Sequence, residues 1–358
     1  MKSKHNKKTL VVMAGGTGGH VFPGLAVADA LKEQGWAVSW LGTADRMEAQ
    51  LVPKHGYEID FIDIAGIRGN GLKRLLMAPI RIIKSILQAR LVLKKRRVDL
   101  VLGMGGFASG PGGIAAWSMG IPVILHEQNA AAGVTNRILS LFSKRVLTGF
   151  SGAFQSDKAI LVGNPVRRQF IELPVKRISA ENEALKVLVV GGSLGAKVLN
   201  DLLPDVFSSF DGAKLNIMHQ SGKGNYQALQ KSYQRMHVKA NVQEFIADMA
   251  SAYEWADLVI CRAGALTVTE LAVVGLPAIF VPLPHAVDDH QTKNAQYLVS
   301  QEAAVLIAQK ELTAKKISDY LLLFLQNRKL LTAMSQKSKK AAIIDATERV
   351  ASICNQLV

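Results

Sequence analysis

Residues 11–20 read VVMAGGTGGH. A β-branched run stops at a cluster of glycines and a histidine. A short continuous apolar run ended by glycines is the pattern of a strand buried on both faces, as in a parallel sheet. Glycines after such a strand let the chain turn sharply into a helix and bring backbone N–H groups close to a ligand. At a helix start those groups and the helix dipole favour an anion. The stretch therefore predicts a strand–loop–helix unit with an anion-binding turn, and places His20 at its mouth.

The pattern recurs at residues 187–196, VLVVGGSLGA, again an apolar run followed by Gly-Gly-(Thr/Ser)-x-Gly. Glycines at one such turn are equally well explained as a tight turn alone. Two in corresponding positions, with a third run at residues 103–113 (GMGGFASGPGG), favour ligand contact. Around the first loop, strands are predicted at residues 10–13, 38–41, 100–102 and 123–125, with helical stretches such as 25–34 between them. Around the second, strands are predicted at 186–190, 216–219, 257–261 and 278–281. Such alternation means a parallel sheet covered by helices. Between the two sets, residues 163–185 are polar and aperiodic and hold two prolines. The organisation is therefore α/β: a first Rossmann-like domain over 1–163, a linker over 164–185, a second Rossmann-like domain over 186–340, and a final helix over 341–358. Ligands of open α/β sheets bind beyond the carboxyl ends of the strands. Two such domains facing across a cleft would line it with a glycine loop each.

Composition narrows the partners. The formal charge of the 358-residue chain is +15, which attracts anions: phosphates, an acidic membrane surface or nucleic acid. Two cysteines, Cys261 and Cys354, stand in no metal-ligand or disulfide pattern and fit a reducing compartment. The basic N-terminus leads into too short an apolar run for a secretory signal. The uncharged run over 271–284 is broken by glycine and proline and is too short to span a bilayer. Neither glycine loop has the lysine of a Walker motif. The first fails the dinucleotide fingerprint because Val21 stands where its last glycine belongs, so a nicotinamide dehydrogenase is disfavoured. Asp288-Asp289 reads as a polar turn. No metal and no cofactor is implied.

Several side chains could do chemistry. A neutral His20 could accept a proton from an attacking hydroxyl, or simply hydrogen-bond the loop. In CRAGALTVTELAVVGLPAIFVP, residues 261–282, Glu270 falls in the first two turns of a helix starting at Gly264-Ala265. Its carboxylate could accept both hydroxyls of a ribose, or merely complement the helix dipole. In the polar loop PHAVDDHQTKNA, residues 284–295, His285, Gln291 and Asn294 suit the hydroxyls of a sugar.

Residues 64–98 hold ten Lys/Arg and no acid. On a helical wheel Arg74, Arg81, Lys84 and Lys95 share one face, and Leu76, Ile80, Ile83, Ile86 and Leu87 the other. This is either a crossover helix with its apolar face on the sheet or a basic amphipathic helix for a membrane surface. In a preceding loop Ile67, Leu72, Leu75, Leu76 and Met77 would be free to touch lipid. Nucleic acid is disfavoured, since no aromatic residue lies in this stretch to stack on bases.

The segments AGGTGGHVFPGLAVADAL, WLGT, GMGGFASGPGG, HEQN, GNPVR, GGSLGA, EFIADMA, CRAGALTVTELA, PHAVDDHQTKNA and DATERVA, in order from about Leu10 to Ala351, resemble the MurG family of peptidoglycan glycosyltransferases. The resemblance implies the GT-B architecture. It implies transfer of N-acetylglucosamine from UDP-GlcNAc to the 4-hydroxyl of N-acetylmuramyl-pentapeptide on undecaprenyl pyrophosphate (lipid I to lipid II), at the cytoplasmic face of the bacterial inner membrane. By position it puts Thr17, Gly18, Gly19, Asn129 and Arg167 at the donor's phosphate and sugar, and Ser193 on the donor. Ile246 would meet uracil through its backbone. Ala265, Leu266, Thr267, Val268, Thr269 and Glu270 would wrap the nucleotide, with Glu270 on the ribose. Gln291 and Asn294 would hold the GlcNAc hydroxyls, and His20 becomes the general-base candidate. Leu194 departs from the pattern, since glutamine is common there. The implied partners are UDP-GlcNAc, lipid I and an anionic membrane surface, with docking by other wall-synthesis proteins left open. The alternatives are a membrane-associated nucleotide-sugar-binding scaffold, or a GT-B enzyme, epimerases included, acting on something else.

Overall fold

The computed structural model describes residues 7–64, 71–154, 156–284 and 289–358, with residues 71–78 described as backbone only. It divides into two compact units, residues 1–167 with 343–358, and residues 168–342.

Among the described residues, the first unit holds a seven-stranded parallel sheet. Its strands are β1 (Thr9–Ala14), β2 (Ala37–Gly42), β3 (Glu58–Phe61), β4 (Leu100–Gly105), β5 (Val123–Glu127), β6 (Arg145–Thr148) and β7 (Ala159–Leu161), in the order β3-β2-β1-β4-β5-β6-β7. Strand β1 shows why its sequence is continuously apolar. Leu10, Val12 and Ala14 face one core with helix Gly18–Glu33, while Val11 and Met13 face another with helices Gly71–Arg96 and Ser109–Ser118. Chain order reverses between β1 and β4, which makes their carboxyl ends the switch point where ligands bind in this topology. The first glycine loop follows β1, and the 103–113 run begins in the last residues of β4 and continues beyond it.

The second unit repeats the plan. Among the described residues, its six strands are β8 (Leu185–Val190), β9 (Leu215–Gln220), β10 (Asn241–Gln243), β11 (Leu258–Cys261), β12 (Ala278–Phe280) and β13 (Ala304–Leu306), in the order β10-β9-β8-β11-β12-β13. The switch point lies between β8, which leads into the second glycine loop, and β11, which leads into Gly264 and helix Ala265–Val274.

Three details differ from the sequence reading. The helix after the first loop begins at Gly18, ahead of Pro23, because the Thr17 carbonyl already accepts the N–H groups of His20 and Val21. The stretch read as a linker is largely ordered on the second unit: Phe170 is buried, Ser179 N–H donates to Asp257, and Arg328 donates to the Glu183 carbonyl. The final helix, Ala346–Leu357, belongs to the first unit, whose core takes Val350, Ala351 and Cys354.

The long basic helix Gly71–Arg96 departs most. Ile80, Ile83 and Leu87, which the crossover alternative puts on the sheet side, stand outward with Leu91, each more than half exposed. The sheet side is Ile86, Ala89, Val92 and Leu93, roughly opposite. The helix therefore has two apolar faces, of which the single-face wheel found one. Among the expected membrane contacts, Ile67 lies outside the described residues. Leu72, Leu75, Leu76 and Met77 lie, with Arg74, in the helix Gly71–Arg96 and not in a loop before it, over residues where only the backbone is described.

Candidate active site

In the first unit, Thr17 is the extended N-cap residue of helix Gly18–Glu33 and is exposed, while Gly18, Gly19 and His20 are half-buried. The opening turn of a helix has N–H groups without intrahelical partners, which here face the loop. A carboxylate holds the loop from behind. Glu48, almost wholly buried, accepts from Gly16 N–H at 2.9 Å with one oxygen, and from Thr43 N–H and Oγ1 at 3.1 and 2.7 Å with the other. The run after β4 closes against it. Gly106 has φ +91°, and a Cβ there would fall 2.5 Å from the Gly15 carbonyl oxygen. Only glycine allows that approach.

His20 lies at the head of a polar chain running into the core. Its Nδ1 is 2.9 Å from Gln128 Oε1, Gln128 Nε2 is 3.1 Å from His126 Nδ1, and His126 Nε2 is 2.9 Å from the Gly163 carbonyl. Burial pushes the His126 imidazole down to about 4, so it is neutral at pH 7. The neighbouring Glu127, also buried, accepts from Asn129 N–H and Nδ2, Gly133 N–H and Asn136 Nδ2. Asn129 is thereby fixed at the end of β5. Arg167 lies over the Phe22 ring, 4.6 Å from its centroid, on the helix that carries His20.

In the second unit the loop after β8 carries Ser193 and Leu194, both exposed. Its brace is neutral. Gln220 Nε2 donates to the Gly192 carbonyl at 2.9 Å, and its Oε1 accepts from Ile246 N–H at 3.1 Å. The Ile246 N–H is thus occupied here, which leaves its carbonyl for any backbone contact with a base. Gly222 presses on the loop so closely that a Cβ there would meet Gly195 N at 2.0 Å.

Helix Ala265–Val274 starts at the carboxyl end of β11 and stops at Gly275, which takes the left-handed conformation and donates to the Leu271 and Ala272 carbonyls. Within it the expected contact residues divide. Val268 is fully buried, Thr269 Oγ1 donates back to the Ala265 carbonyl, and Ala265 is buried, whereas Leu266 and Thr267 are half-buried. Glu270 is buried, with the Tyr253 hydroxyl donating to it at 3.4 Å.

Gln291 and Asn294 sit on helix His290–Val299 and hold the turn before helix Ala265–Val274. Gln291 Oε1 accepts from the N–H groups of Ala263 and Leu283, and Asn294 Nδ2 donates to the Ala263 carbonyl. Asn294 is fully buried. The loop reading for these two residues gives way to a helix, and both make bonds that shape the turn. His285 lies outside the described residues.

Glu48, His126, Glu127, Gln128 and Gln220 are the parts the residue-by-residue reading missed. Three of them lie in the quoted segment HEQN, while Glu48 had no signal in an unremarkable helix.

Comparison with known proteins gives this arrangement its family. Residues 10–148 match the glycosyltransferase family 28 N-terminal domain, and residues 186–350 its C-terminal domain. The chain is 90% identical over 353 residues, 99% of each chain, to a Psychromonas ingrahamii protein named UDP-N-acetylglucosamine--N-acetylmuramyl-(pentapeptide) pyrophosphoryl-undecaprenol N-acetylglucosamine transferase. It is 60% identical to an Aeromonas hydrophila protein of the same name, over 98% of this chain and 97% of the other. The crystal structure of Acinetobacter baumannii MurG superposes with a TM-score of 0.82 at 43% identity, covering 98% of this chain and 99% of the other. The class is thus a family 28 glycosyltransferase of the GT-B fold. Within that class the chain belongs to the MurG family.

Proposed function

We propose that this chain transfers GlcNAc from UDP-GlcNAc to the 4-hydroxyl of the MurNAc residue of lipid I, with inversion at the anomeric carbon. The observation that carries this reading is the doubled switch-point loop, one per unit, with a histidine in the first helical turn after the first loop. In this reading the second unit holds the donor: Ser193 and the start of helix Ala265–Val274 at the diphosphate, the Ile246 carbonyl at uracil, Glu270 at the ribose. Gln291 and Asn294 act on the sugar by shaping the Ala263 turn as well as by direct contact. The first unit supplies Thr17, Gly18, Gly19, Asn129 and Arg167 for phosphate and sugar oxygens, and His20 as base. The acceptor oxygen bonds to the anomeric carbon, its proton passes to His20, and the bond to the β-phosphate oxygen breaks. The charge that appears on UDP is met by helix-start amides and Arg167.

The acceptor is lipid-borne, and the outer stripe of helix Gly71–Arg96 suits an anionic membrane surface. Ile80, Ile83, Leu87 and Leu91 stand beside exposed Lys94 and Lys95. Helix Ser109–Ser118, packed against helix Gly71–Arg96, carries exposed Trp117. Lys84 is partly neutralised by Asp63 at 2.8 Å, whereas Arg81 is exposed. Burying the exposed parts of the four stripe residues contributes about 5 kcal/mol, against about 1 kcal/mol per nearby cation. With exposed Arg81, Lys84, Lys94 and Lys95 together adding up to about 4 kcal/mol, the apolar stripe and the cations contribute comparably. Among the described residues no helix is long and apolar enough to cross a membrane.

Transfer of labelled GlcNAc to a short-chain lipid I analogue tests the reaction, and β-linked product equal to the UDP released is expected. An α-linked product would sink the inverting mechanism, and saturable donor binding without turnover would favour the scaffold reading. Ile83→Glu with Leu87→Glu should release the protein from phosphatidylglycerol vesicles while leaving transfer to the soluble analogue intact.

A further inference from the structure

The geometry points to Gln128 and His126 as positioning residues that fix the tautomer of His20, holding its proton on Nδ1 and its lone pair on Nε2. This rests on the reading of His20 as the base and says which atom of it acts.

The chain of donors and acceptors admits one consistent assignment. The Gly163 carbonyl can only accept, so His126 Nε2, 2.9 Å away, carries a hydrogen. His126 is fully buried and neutral, so its Nδ1 has a bare lone pair. That lone pair takes a hydrogen from Gln128 Nε2 at 3.1 Å, and the same amide nitrogen also donates to the His126 carbonyl at 3.2 Å. Turning the Gln128 amide over would set its oxygen against both of these acceptors. The amide oxygen therefore faces His20, and His20 Nδ1, 2.9 Å from it, must be the donor. The remaining ring nitrogen, Nε2, has no hydrogen-bond partner among the described residues, and in the neutral imidazole it is the one that carries the lone pair.

The surroundings hold the ring as well as its protons. A Cβ on Gly105, where φ is +102°, would fall 2.9 Å from both His20 Nδ1 and Cε1. This glycine, the last residue of β4, thus leaves room for the imidazole in this pose. Gln128 is itself buried, and its carbonyl accepts from Asn164 Nδ2 at 3.1 Å. An amide in the position of the carboxylate of a Ser-His-Asp triad orients the imidazole in the same way, without adding a negative charge beside it.

The test combines kinetics with ring-nitrogen NMR on the full-length enzyme. ¹⁵N-histidine labelling, with His20→Ala to assign the signal, should show His20 in the Nδ1–H form in the wild type and a shift toward Nε2–H in Gln128→Leu. Gln128→Leu and His126→Phe should each lower kcat on the order of 10-fold to 100-fold, with KM for UDP-GlcNAc within about 2-fold. His126→Asn, which retains an acceptor toward Gln128, should recover most of the loss. Circular dichroism and donor binding identify any variant that has merely failed to fold, and the wild-type NMR result stands independently of them. An Nε2–H tautomer in the wild type overturns the proposal. So does wild-type kcat in folded Gln128→Leu when His20→Ala is inactive. If His20→Ala instead retains kcat, the base reading fails, and the tautomer measurement still decides whether the network holds the ring as described.

Discussion

The two glycine loops come from near-copies of one sequence pattern, yet they are braced by different chemistry. Behind the first, Glu48 places a buried carboxylate against Gly16 N–H; behind the second, Gln220 places a neutral amide against the Gly192 carbonyl. The first brace consumes a backbone donor and sets a negative charge behind the loop. The second consumes an acceptor and adds no net charge. The field toward an incoming anion is therefore weaker at the first loop than its glycines imply. The difference teaches that a glycine motif gives the backbone path, while the residue behind it sets the electrostatics.

The largest expected effect separates the units by acid. Burial pushes His126 in the first unit down to about 4 and His219 in the second to about 3. Unfolded histidines take a proton near 6.5, so between that pH and each native value the unfolded state binds more protons and stability falls as pH falls. The losses are about 3 kcal/mol for the first unit and about 5 kcal/mol for the second. Denaturation followed at Trp40 of the first unit, with Trp36 and Trp117 replaced by Phe, and at Trp255 of the second should show both units weakening from pH 6.5 to 4. Of these two contributions, only that of the second unit should continue below 4. Equal slopes in both units below 4 would break the contrast.

Next in size is the brace itself. Glu48→Ala strands Gly16 N–H and the Thr43 donors, and should cost about 3 kcal/mol in urea denaturation read at Trp40. Gln220→Ala, which loses two neutral bonds, should cost about 1–2 kcal/mol at Trp255. Reversal of that order would mean that the carboxylate's desolvation cost outweighs its bonds. Smallest is Glu270→Ala, which touches neither brace. It should raise KM for UDP-GlcNAc about 10-fold through lost ribose contacts, and an unchanged KM would remove Glu270 from the donor site.

The strands and both switch points were legible because strands buried on both faces must be written as unbroken apolar runs, as in 10–13 and 186–190. Thr17, Ser193 and Glu270 were legible for a related reason: a loop or helix start beside a glycine turn has its place fixed by local sequence. Glu48 and Gln220 were not legible as braces, since each meets its loop from another part of the chain. Gln291 and Asn294 were visible as polar residues, but their bonds to the Ala263 turn depend on helix His290–Val299 crossing it. The side taken by the outer stripe of Gly71–Arg96 stayed open because a wheel finds one apolar face and cannot say which side the sheet takes when there are two.

The helix Ala346–Leu357 gives the protein an order of assembly. During synthesis the whole second unit, residues 168–342, leaves the ribosome before the segment that completes the first unit's core. The second unit has its full sequence in hand and can fold while the first still lacks Val350, Ala351 and Cys354. Until they arrive, Leu25, Ala28 and Leu31 on the helix that begins beside His20 lack part of their packing. The second unit, proposed to hold the donor, is thus ready early, and the half that carries the proposed base is finished last.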